Sequence, residues 1–226
     1  MEIGIIGSGN IGSTLAGQLT ALGHQVIIAN SRGPESLKDV AEKTGATPVT
    51  VERAAAAKDL IIIAIPAKAI VNLPVDILSA SQAIIIDAGN YYPSRDGANA
   101  DLEGGLTDSE WTAKVIGHPV IKAFNNIVAP SLASKALPTG NSNRVALSVA
   151  GNEEEHKHTI RELINEIGFD AIDGGSLSES WRQQPGAPAY CKDFDKKALA
   201  AALQDADIRK RAENLAKADE EARPYL

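Results

Sequence analysis

The fold is decided by residues 2–12, which read EIGIIGSGNIG. The apolar run Glu2–Ile6 predicts a buried β-strand, and the stretch Ile11–Leu22 behind it has the apolar spacing of an amphipathic helix. Between the two stands the pattern Gly-x-Gly-x-x-Gly, formed by Gly7, Gly9 and Gly12. A glycine cluster in this strand-to-helix position is typical of a dinucleotide-binding turn.

Each glycine of this turn has a physical reason. Gly7 permits the tight turn, Gly9 lets the backbone approach a pyrophosphate, and Gly12 lets the helix pack closely on the strand. The free N–H groups of the helix N-terminus then attract the anion, and Ser8 and Asn10 offer side-chain donors. A Walker-type phosphate loop is excluded because no Gly-Lys-Ser/Thr follows the turn.

The remaining sequence alternates short β-branched runs with helical patterns, which predicts an α/β fold. Further strands are expected at Gln25–Ala29, Thr47–Val49, Leu60–Ala64, Ala83–Asp87, Val120–Phe124, Arg144–Ala150 and Asp170–Asp173. Helices are expected at Glu35–Thr44, Val51–Ala57 and Glu153–Ile167. Such alternation indicates a doubly wound, mostly parallel sheet of the Rossmann type, with helices on both faces.

Three segments depart from this alternation. Tyr91–Gly105 is polar and rich in glycine, which predicts a long loop near the carboxyl edge of the sheet. After Gly175 the chain continues with a polar segment, Ser176–Asp193, and then with Asp195–Ala222, whose Ala-rich and charged composition predicts one long helix. We therefore expect a nucleotide-binding domain over residues 1–175 and a small helical C-terminal extension over residues 176–226.

The end of the second strand decides the type of cofactor. Sites that prefer NAD place a carboxylate there to accept hydrogen bonds from the adenosine ribose. This chain has Asn30, Ser31 and Arg32 instead. The planar guanidinium of arginine suits a phosphate, and a serine hydroxyl can donate to the same oxygens. The sequence favours NADP(H) over NAD(H), although Asn30 and Ser31 also fit a helix N-cap ahead of Pro34.

The nicotinamide half of the cofactor is expected outside the carboxyl ends of the first, fourth and fifth strands. The fourth strand ends in Ala64, Ile65 and Pro66, and the fifth is followed by Ala88 and Asn90. Two of these residues offer an apolar face for the ring, and Asn90 offers a hydrogen-bond donor. The predicted cofactor-binding set is Gly7, Ser8, Gly9, Asn10, Ile11, Gly12, Asn30, Ser31, Arg32, Ala64, Ile65, Pro66, Ala88 and Asn90.

Lys122 and Asn126 are the candidate catalytic residues. Their spacing places them on one face of a helix or a strand, and it is similar to the Lys-x-x-x-Asn pair of the β-hydroxyacid dehydrogenases, in which the lysine handles a substrate proton. In that family the pair lies on a helix, whereas Val120–Phe124 here reads as a strand, so a snorkelling or structural lysine is favoured over a catalytic one. The tail segment Trp181–Gly186 offers an aromatic ring and polar side chains for a substrate, or a docking loop for the last helix.

Composition and net charge limit the partners, the metal and disulfide sites and the cellular location that we expect. A net charge of −7 disfavours nucleic acid as a partner, and no apolar run approaches the length needed to cross a membrane. One cysteine and four scattered histidines predict neither a disulfide nor a metal site. The chain opens directly on a strand without a leader-like segment, so a cytoplasmic protein is expected.

Five segments together resemble the NADPH:deazaflavin-coenzyme (coenzyme F-420) oxidoreductases and their bacterial NADP oxidoreductase relatives. They are Ile3–Gly12, Ala29–Pro34, Leu60–Pro66, Lys122–Asn125 and Arg144–Gly151. The resemblance extends over residues 1–175, and this family is also similar to the cytosolic domain of membrane metalloreductases. It implies NADPH held by the glycine turn and by Ser31 and Arg32, a flavin or deazaflavin as second substrate, and commonly a homodimer.

Three functions are compatible with these residues. The first is hydride transfer between NADP(H) and a flavin-like, deazaflavin or other small conjugated acceptor, in which positioning supplies most of the catalysis. The second is a β-hydroxyacid dehydrogenase that uses Lys122 and Asn126. The third is a non-enzymatic NADP(H)-sensing protein, which needs the glycine turn and Arg32 but no acceptor pocket.

Overall fold

The computed structural model describes residues 1–225. Its strands are β1 Glu2–Ile6, β2 Gln25–Ala29, β3 Thr47–Pro48, β4 Leu60–Ile63, β5 Ile84–Asp87, β6 Ile121–Lys122, β7 Ala146–Val149 and β8 Asp170–Asp173. Its helices are α1 Asn10–Ala21, α2 Lys38–Thr44, α3 Val51–Ala55, α4 Ala67–Ile70, α5 Val75–Ser79, α6 Pro93–Asp96, α7 Ala100–Glu103, α8 Asp108–Ile116, α9 Ala129–Ser134, α10 Glu154–Ile167, α11 Lys196–Gln204 and α12 Arg211–Ala222.

The first six strands form one parallel sheet in the order β3-β2-β1-β4-β5-β6. This order reverses direction between β1 and β4, which is the doubly wound topology and confirms the predicted fold class. Strands β7 and β8 do not join this sheet; they pair with each other in a separate parallel sheet. An antiparallel bridge between Lys122 and Ala150 links the two sheets.

Both faces of the main sheet are buried. Successive side chains of β4 alternate, so Leu60 and Ile62 belong to one apolar cluster while Ile61 and Ile63 belong to the other. Helix α1 covers the first face, and α3 and α8 cover the second. A strand with apolar residues at every position is therefore required here, and the continuous runs of isoleucine supply it.

Two segments differ from the sequence-based prediction near the carboxyl edge. Tyr91–Gly105 is not a continuous loop, because it contains α6 and α7. Helix α6 begins at Pro93, and the Asn99 side chain caps α7 by accepting hydrogen bonds from the N–H groups of Asp101 and Leu102.

Strand β6 is also shorter than the predicted Val120–Phe124. It ends at Lys122, and two residues later Phe124 has a φ of 63°. This left-handed conformation takes the chain out of the sheet direction.

The C-terminal extension is not one long helix. It breaks after α11, and the Asp207 side chain starts a new turn by accepting a hydrogen bond from the N–H of Arg209. Helix α11 packs on β7 and β8 through Leu199 and Leu203. Helix α12 is fixed to α6 by Asp219, whose carboxylate accepts hydrogen bonds from the backbone and hydroxyl of Ser94. The extension thus contacts the β7–β8 sheet through α11 and the helix that follows β5 through α12.

A membrane-crossing helix, which needs length and continuous apolar character together, does not occur within residues 1–225.

Candidate functional site

The turn between β1 and α1 presents free backbone donors. Gly7 has a φ of 120°, and its N–H donates to the carbonyl of Ala29 at the end of β2. Helix α1 begins with Gly9 as its N-cap residue, no side chain caps it, and its first turn contains no acidic residue. The first N–H groups of a helix have no intrahelical acceptor, so this exposed end has both the donors and the partial positive charge that an anion requires.

The space around each of the three glycines distinguishes those required for packing from the one that leaves room for a ligand. A Cβ at Gly12 would lie 2.0 Å from the carbonyl oxygen of Gly7, and one at Gly7 would lie 2.2 Å from that of Ala64. These two glycines are required by the contact between the helix and the sheet. A Cβ at Gly9 would meet no protein atom within 4 Å, and its φ of −72° suits any residue. The open space beside Gly9 therefore fits an approaching pyrophosphate.

The side chain of Asn30 joins the glycine turn to the turn after β2. Its amide nitrogen donates to the hydroxyl of Ser8 at 3.2 Å and to that of Ser36 at 3.0 Å. Its oxygen accepts from the backbone N–H of Arg32 at 2.9 Å and from the Ser36 hydroxyl at 3.1 Å. The donors of Asn30 are thus used within the protein, which makes it a link between the two predicted halves of the site. Ser36, a part of this link, was missed by the sequence analysis.

Ser31 and Arg32 stand at the tip of this turn with exposed side chains. Among residues 1–225, the Arg32 guanidinium has no hydrogen-bond partner and no ion pair. The backbone N–H of Arg32, in contrast, is fixed by Asn30. An anchored backbone with a free guanidinium is a suitable arrangement for an incoming phosphate group.

The ends of β1, β4 and β5 lie side by side, as the sequence predicts. Ile63 pairs with Asp87, and the N–H groups of Ala64 and Ala88 continue the ladders to Ile6 and Ile63. This places Ala64, Ile65 and Pro66 beside Gly7, and all three remain partly accessible. The predicted nicotinamide end therefore has small and apolar residues around it.

Asn90 extends this region toward the C-terminal extension. It forms a reciprocal pair with Asn125: the Asn90 amide donates to the Asn125 carbonyl, and the Asn125 amide donates to the Asn90 side-chain oxygen. Asn125 also donates to the carbonyl of Gln183, and the fully buried Gln183 amide donates to Asn125 and to Ser148. The segment Trp181–Gly186 is thus docked on the end of β5, with Gln183 facing protein.

Lys122 lies under this region with no exposed surface. Its ammonium donates to the carbonyl of Gly89 at 2.6 Å and faces the Asp87 carboxylate at 3.3 Å. Asp87 also accepts from the Ser109 hydroxyl at 2.6 Å and from the Gly89 N–H at 3.0 Å. Breaking a buried ion pair costs about 3–5 kcal/mol. These contacts favour a positioning role for Lys122, because it holds the chain at Gly89 in place.

Asn126, the other candidate catalytic residue, is 1% exposed. Neither its side-chain oxygen nor its nitrogen has a hydrogen-bond partner within the described residues. No hydrogen bond joins Asn126 to Lys122 in that part of the chain. A buried side-chain amide without partners is energetically costly. The backbone carbonyl of Asn126, in contrast, accepts a hydrogen bond from the N–H of Cys191.

Within residues 1–225, the structure shows neither an activated cysteine nucleophile nor a cluster of metal ligands. Burial raises the pKa of the Cys191 thiol to about 11, so the thiol is protonated at neutral pH. No group of three or more His, Cys, Asp or Glu side chains within residues 1–225 is arranged to hold a metal ion. The candidate site therefore consists of the backbone N–H groups at the N-terminus of α1, the guanidinium of Arg32, and the partly apolar crevice at the ends of β4 and β5.

The glycines provide a test of this arrangement. We expect Gly9→Val to leave the thermal unfolding temperature near that of the wild type, since its Cβ meets open space, but to weaken NADPH binding by at least about tenfold through exclusion of the pyrophosphate. Gly12→Val should instead lower the unfolding temperature strongly, because its side chain collides with backbone. Calorimetry and NADPH titration measure both effects. Unchanged NADPH affinity in a folded Gly9→Val protein would contradict the assignment.

Comparison with known proteins agrees with this geometry. Residues 2–91 match the sequence model of the family described as NADP oxidoreductase, coenzyme F420-dependent. Similar curated proteins include Escherichia coli YjhV, 40% identical over 67 residues, and the metalloreductase STEAP3 of Rattus norvegicus, 27% identical over 180 residues. The matches span 30% and 79% of this chain, but only 49% of YjhV and 35% of STEAP3.

A solved structure is similar over nearly the whole chain. It is the hypothetical protein SMa0349 from Sinorhizobium meliloti, which is 34% identical, with a TM-score of 0.72. The match covers 87% of this chain and 95% of that one. The resemblance read from the sequence is confirmed, and residues 2–91 of the chain belong to the family of NADP oxidoreductases described as coenzyme F420-dependent.

Proposed function

We propose that this protein transfers a hydride between NADP(H) and a flavin-like, deazaflavin or other small conjugated acceptor. The observation that carries the proposal is the Asn30 side chain, which joins the anion-binding turn to the turn that bears Arg32. One rigid surface then receives both the pyrophosphate and the adenosine 2′-phosphate. The family that residues 2–91 match supports the NADP part of this proposal, while the acceptor is our inference.

The phosphates would be held by charge and backbone. The N-terminus of α1 offers N–H groups beside the open space at Gly9, and Ser8 lies at its entrance. Arg32 and Ser31 would bind the 2′-phosphate through charge-assisted hydrogen bonds, which are about twice as strong as neutral ones. Ile11 and Asn10 line the same first turn. The two anion sites together fix the cofactor along the carboxyl edge of the sheet.

The nicotinamide end would be held by shape. Ala64, Ile65 and Pro66 form an apolar wall, and Ala88 and Asn90 limit the other side. When bound, NADPH supplies a hydride to the acceptor, and water supplies the proton that completes the reduction. The chain contributes orientation and exclusion of solvent, which suits a transfer between two rings because it needs no side-chain acid.

The alternative of a β-hydroxyacid dehydrogenase is less well supported. Its lysine would have to reach the substrate, whereas Lys122 is fully buried and held by Asp87 and Gly89. Withdrawing it would leave the Asp87 carboxylate buried without its cation. We therefore treat Lys122 as a residue that positions the end of β5.

We also propose that the protein acts in the cytoplasm as a homodimer. Within the chain, residues 1–175 would form the NADP-binding domain, and residues 176–226 the extension that closes its carboxyl edge. The family resemblance supports the homodimer, and the hydrogen bonds between Asn125 and Gln183 support the placement of the extension.

An acceptor screen tests the proposed activity. Purified protein is mixed with NADPH, and absorbance of the reduced nicotinamide is followed with flavins, a deazaflavin, quinones, ferric chelates and small oxo-acids. We expect oxidation with a flavin-like or conjugated acceptor and none with oxo-acids. Turnover of oxo-acids alone would favour the dehydrogenase, and tight NADPH binding without any turnover would favour a sensing protein.

Two substitutions test the cofactor preference. Arg32→Ala should reduce the preference for NADPH over NADH by at least about tenfold, because a charge-assisted contact to the 2′-phosphate is lost. Asn30→Asp should reverse the preference, since it places a carboxylate where NAD sites have one. Lys43→Ala, which removes an exposed cation of α2, is the matched control and should keep the wild-type ratio. Equal cofactor ratios in all four proteins would refute the assignment.

A further inference from the structure

A cavity of about 530 Å³ lies beside the C-terminal extension. Its walls come from the segment after β5, from Trp181–Pro188 and from α12; they include Tyr91, Asp108, Trp181, Pro185, Arg211 and Leu215. This volume lies in the range of pockets for small molecules. We propose that the cavity is a binding site for a small planar aromatic carboxylate.

Most of the wall is apolar. Trp181 and Tyr91 contribute aromatic rings, and Pro185 and Leu215 contribute rigid or branched aliphatic surface. Aromatic rings bury a large area with a preferred stacking geometry, so a planar ring system matches this wall. Tyr91 is itself immobilised, because its hydroxyl donates to the carbonyl of Gly97 at 2.9 Å.

Asp108 supplies the first polar contact. One of its carboxyl oxygens accepts from the Tyr91 N–H at 3.1 Å, and the other has no hydrogen-bond partner within residues 1–225. Burial raises the pKa of Asp108 above its usual value, and the carboxylate of Asp87 adds to this effect, while Lys122 and Arg211 oppose it. The raised pKa extends the protonated form to higher pH, and in that form the carboxyl group can donate a hydrogen bond to an anion.

Arg211 supplies the charge. Two of its nitrogens donate to the carbonyls of Gly105 and Leu106, which fixes the guanidinium, and its Nε has no partner within the described residues. Among the other charged side chains of the wall, Asp207 pairs with Arg209, and Glu103 accepts from the N–H of Asn99. Arg211 is half-buried and has no carboxylate in ion-pair contact within the described residues, while Asp108 and Glu110 act on its charge from further away. A guanidinium in this position can form a charge-assisted hydrogen bond to a ligand carboxylate.

Between this cavity and the proposed nucleotide crevice lies a narrow space of about 10 Å³, lined by Ile65, Asn90, Tyr91 and Asp108 among others. Asn90 turns its side chain toward Asn125, whereas the next residue, Tyr91, lines the cavity. The carbonyl of Gly89, just before these residues, is held by Lys122. The carboxylate site does not depend on the identity of the hydride acceptor.

Calorimetric titration of the full chain with naphthoate, and with neutral naphthalenemethanol as its uncharged counterpart, tests the proposal. We expect one saturable naphthoate site, tighter than that for the alcohol, and unchanged by saturating NADPH. Arg211→Met should weaken naphthoate at least about tenfold through loss of the charge-assisted contact. Lys210→Met is the matched control, because it removes an exposed cation next to Arg211 in the sequence that is not part of the cavity wall, and it should bind as the wild type.

A second variant distinguishes loss of the Arg211 contact from misfolding of α12. Leu215→Trp keeps Arg211 and fills the cavity, so it should abolish binding of both compounds while NADPH binding persists. Any of three results would overturn the proposal: no naphthoate binding, equal affinity for naphthoate and the alcohol, or naphthoate affinity unaffected by both variants. Displacement of naphthoate by NADPH would likewise refute a separate site. NADPH affinity, measured in the same samples, reports on the proposed function independently.

Discussion

The carbonyl oxygen of Gly7 lies so close to Gly12 that only a hydrogen fits at that position of α1. This close approach sets the direction of the helix relative to β1 and leaves the helix N-terminus open at the carboxyl edge of the sheet. The other parts of the proposed site are positioned relative to this helix N-terminus. Asn30 ties the second turn to it, and the ends of β4 and β5 lie beside it through the strand register.

A second layer of contacts stabilises the nicotinamide half. The buried pair of Lys122 and Asp87 secures Gly89, while the reciprocal amides of Asn90 and Asn125 connect that segment to Gln183. These polar contacts are expensive to bury; most of the groups named have partners, although the Gln183 side-chain oxygen has none within the described residues, and together they favour one arrangement of the chain. Such rigidity is what a reaction governed by positioning requires.

Local patterns sufficed for the parts of the fold that depend on neighbouring residues. Strands β1 and β2 and the glycine turn were predictable, because apolar runs and glycine spacing act within a few residues. The separation of β7 and β8 depends on distant packing, so no local pattern reveals it. Asn30 was recognised as part of the site, but its role as a link depends on Ser8 and Ser36. The burial of Lys122 likewise follows from Asp87 on another strand, which no spacing within the segment could show.

In the proposed binding mode, the turn bearing Ser31 and Arg32 holds the phosphate that distinguishes NADPH from NADH. The dissociation constants of the unmodified protein for NADPH and NADH, obtained by calorimetry in one buffer, test this directly. NADPH is expected to bind at least about tenfold tighter, because of a charge-assisted phosphate contact. Equal binding, or tighter binding of NADH, would contradict it.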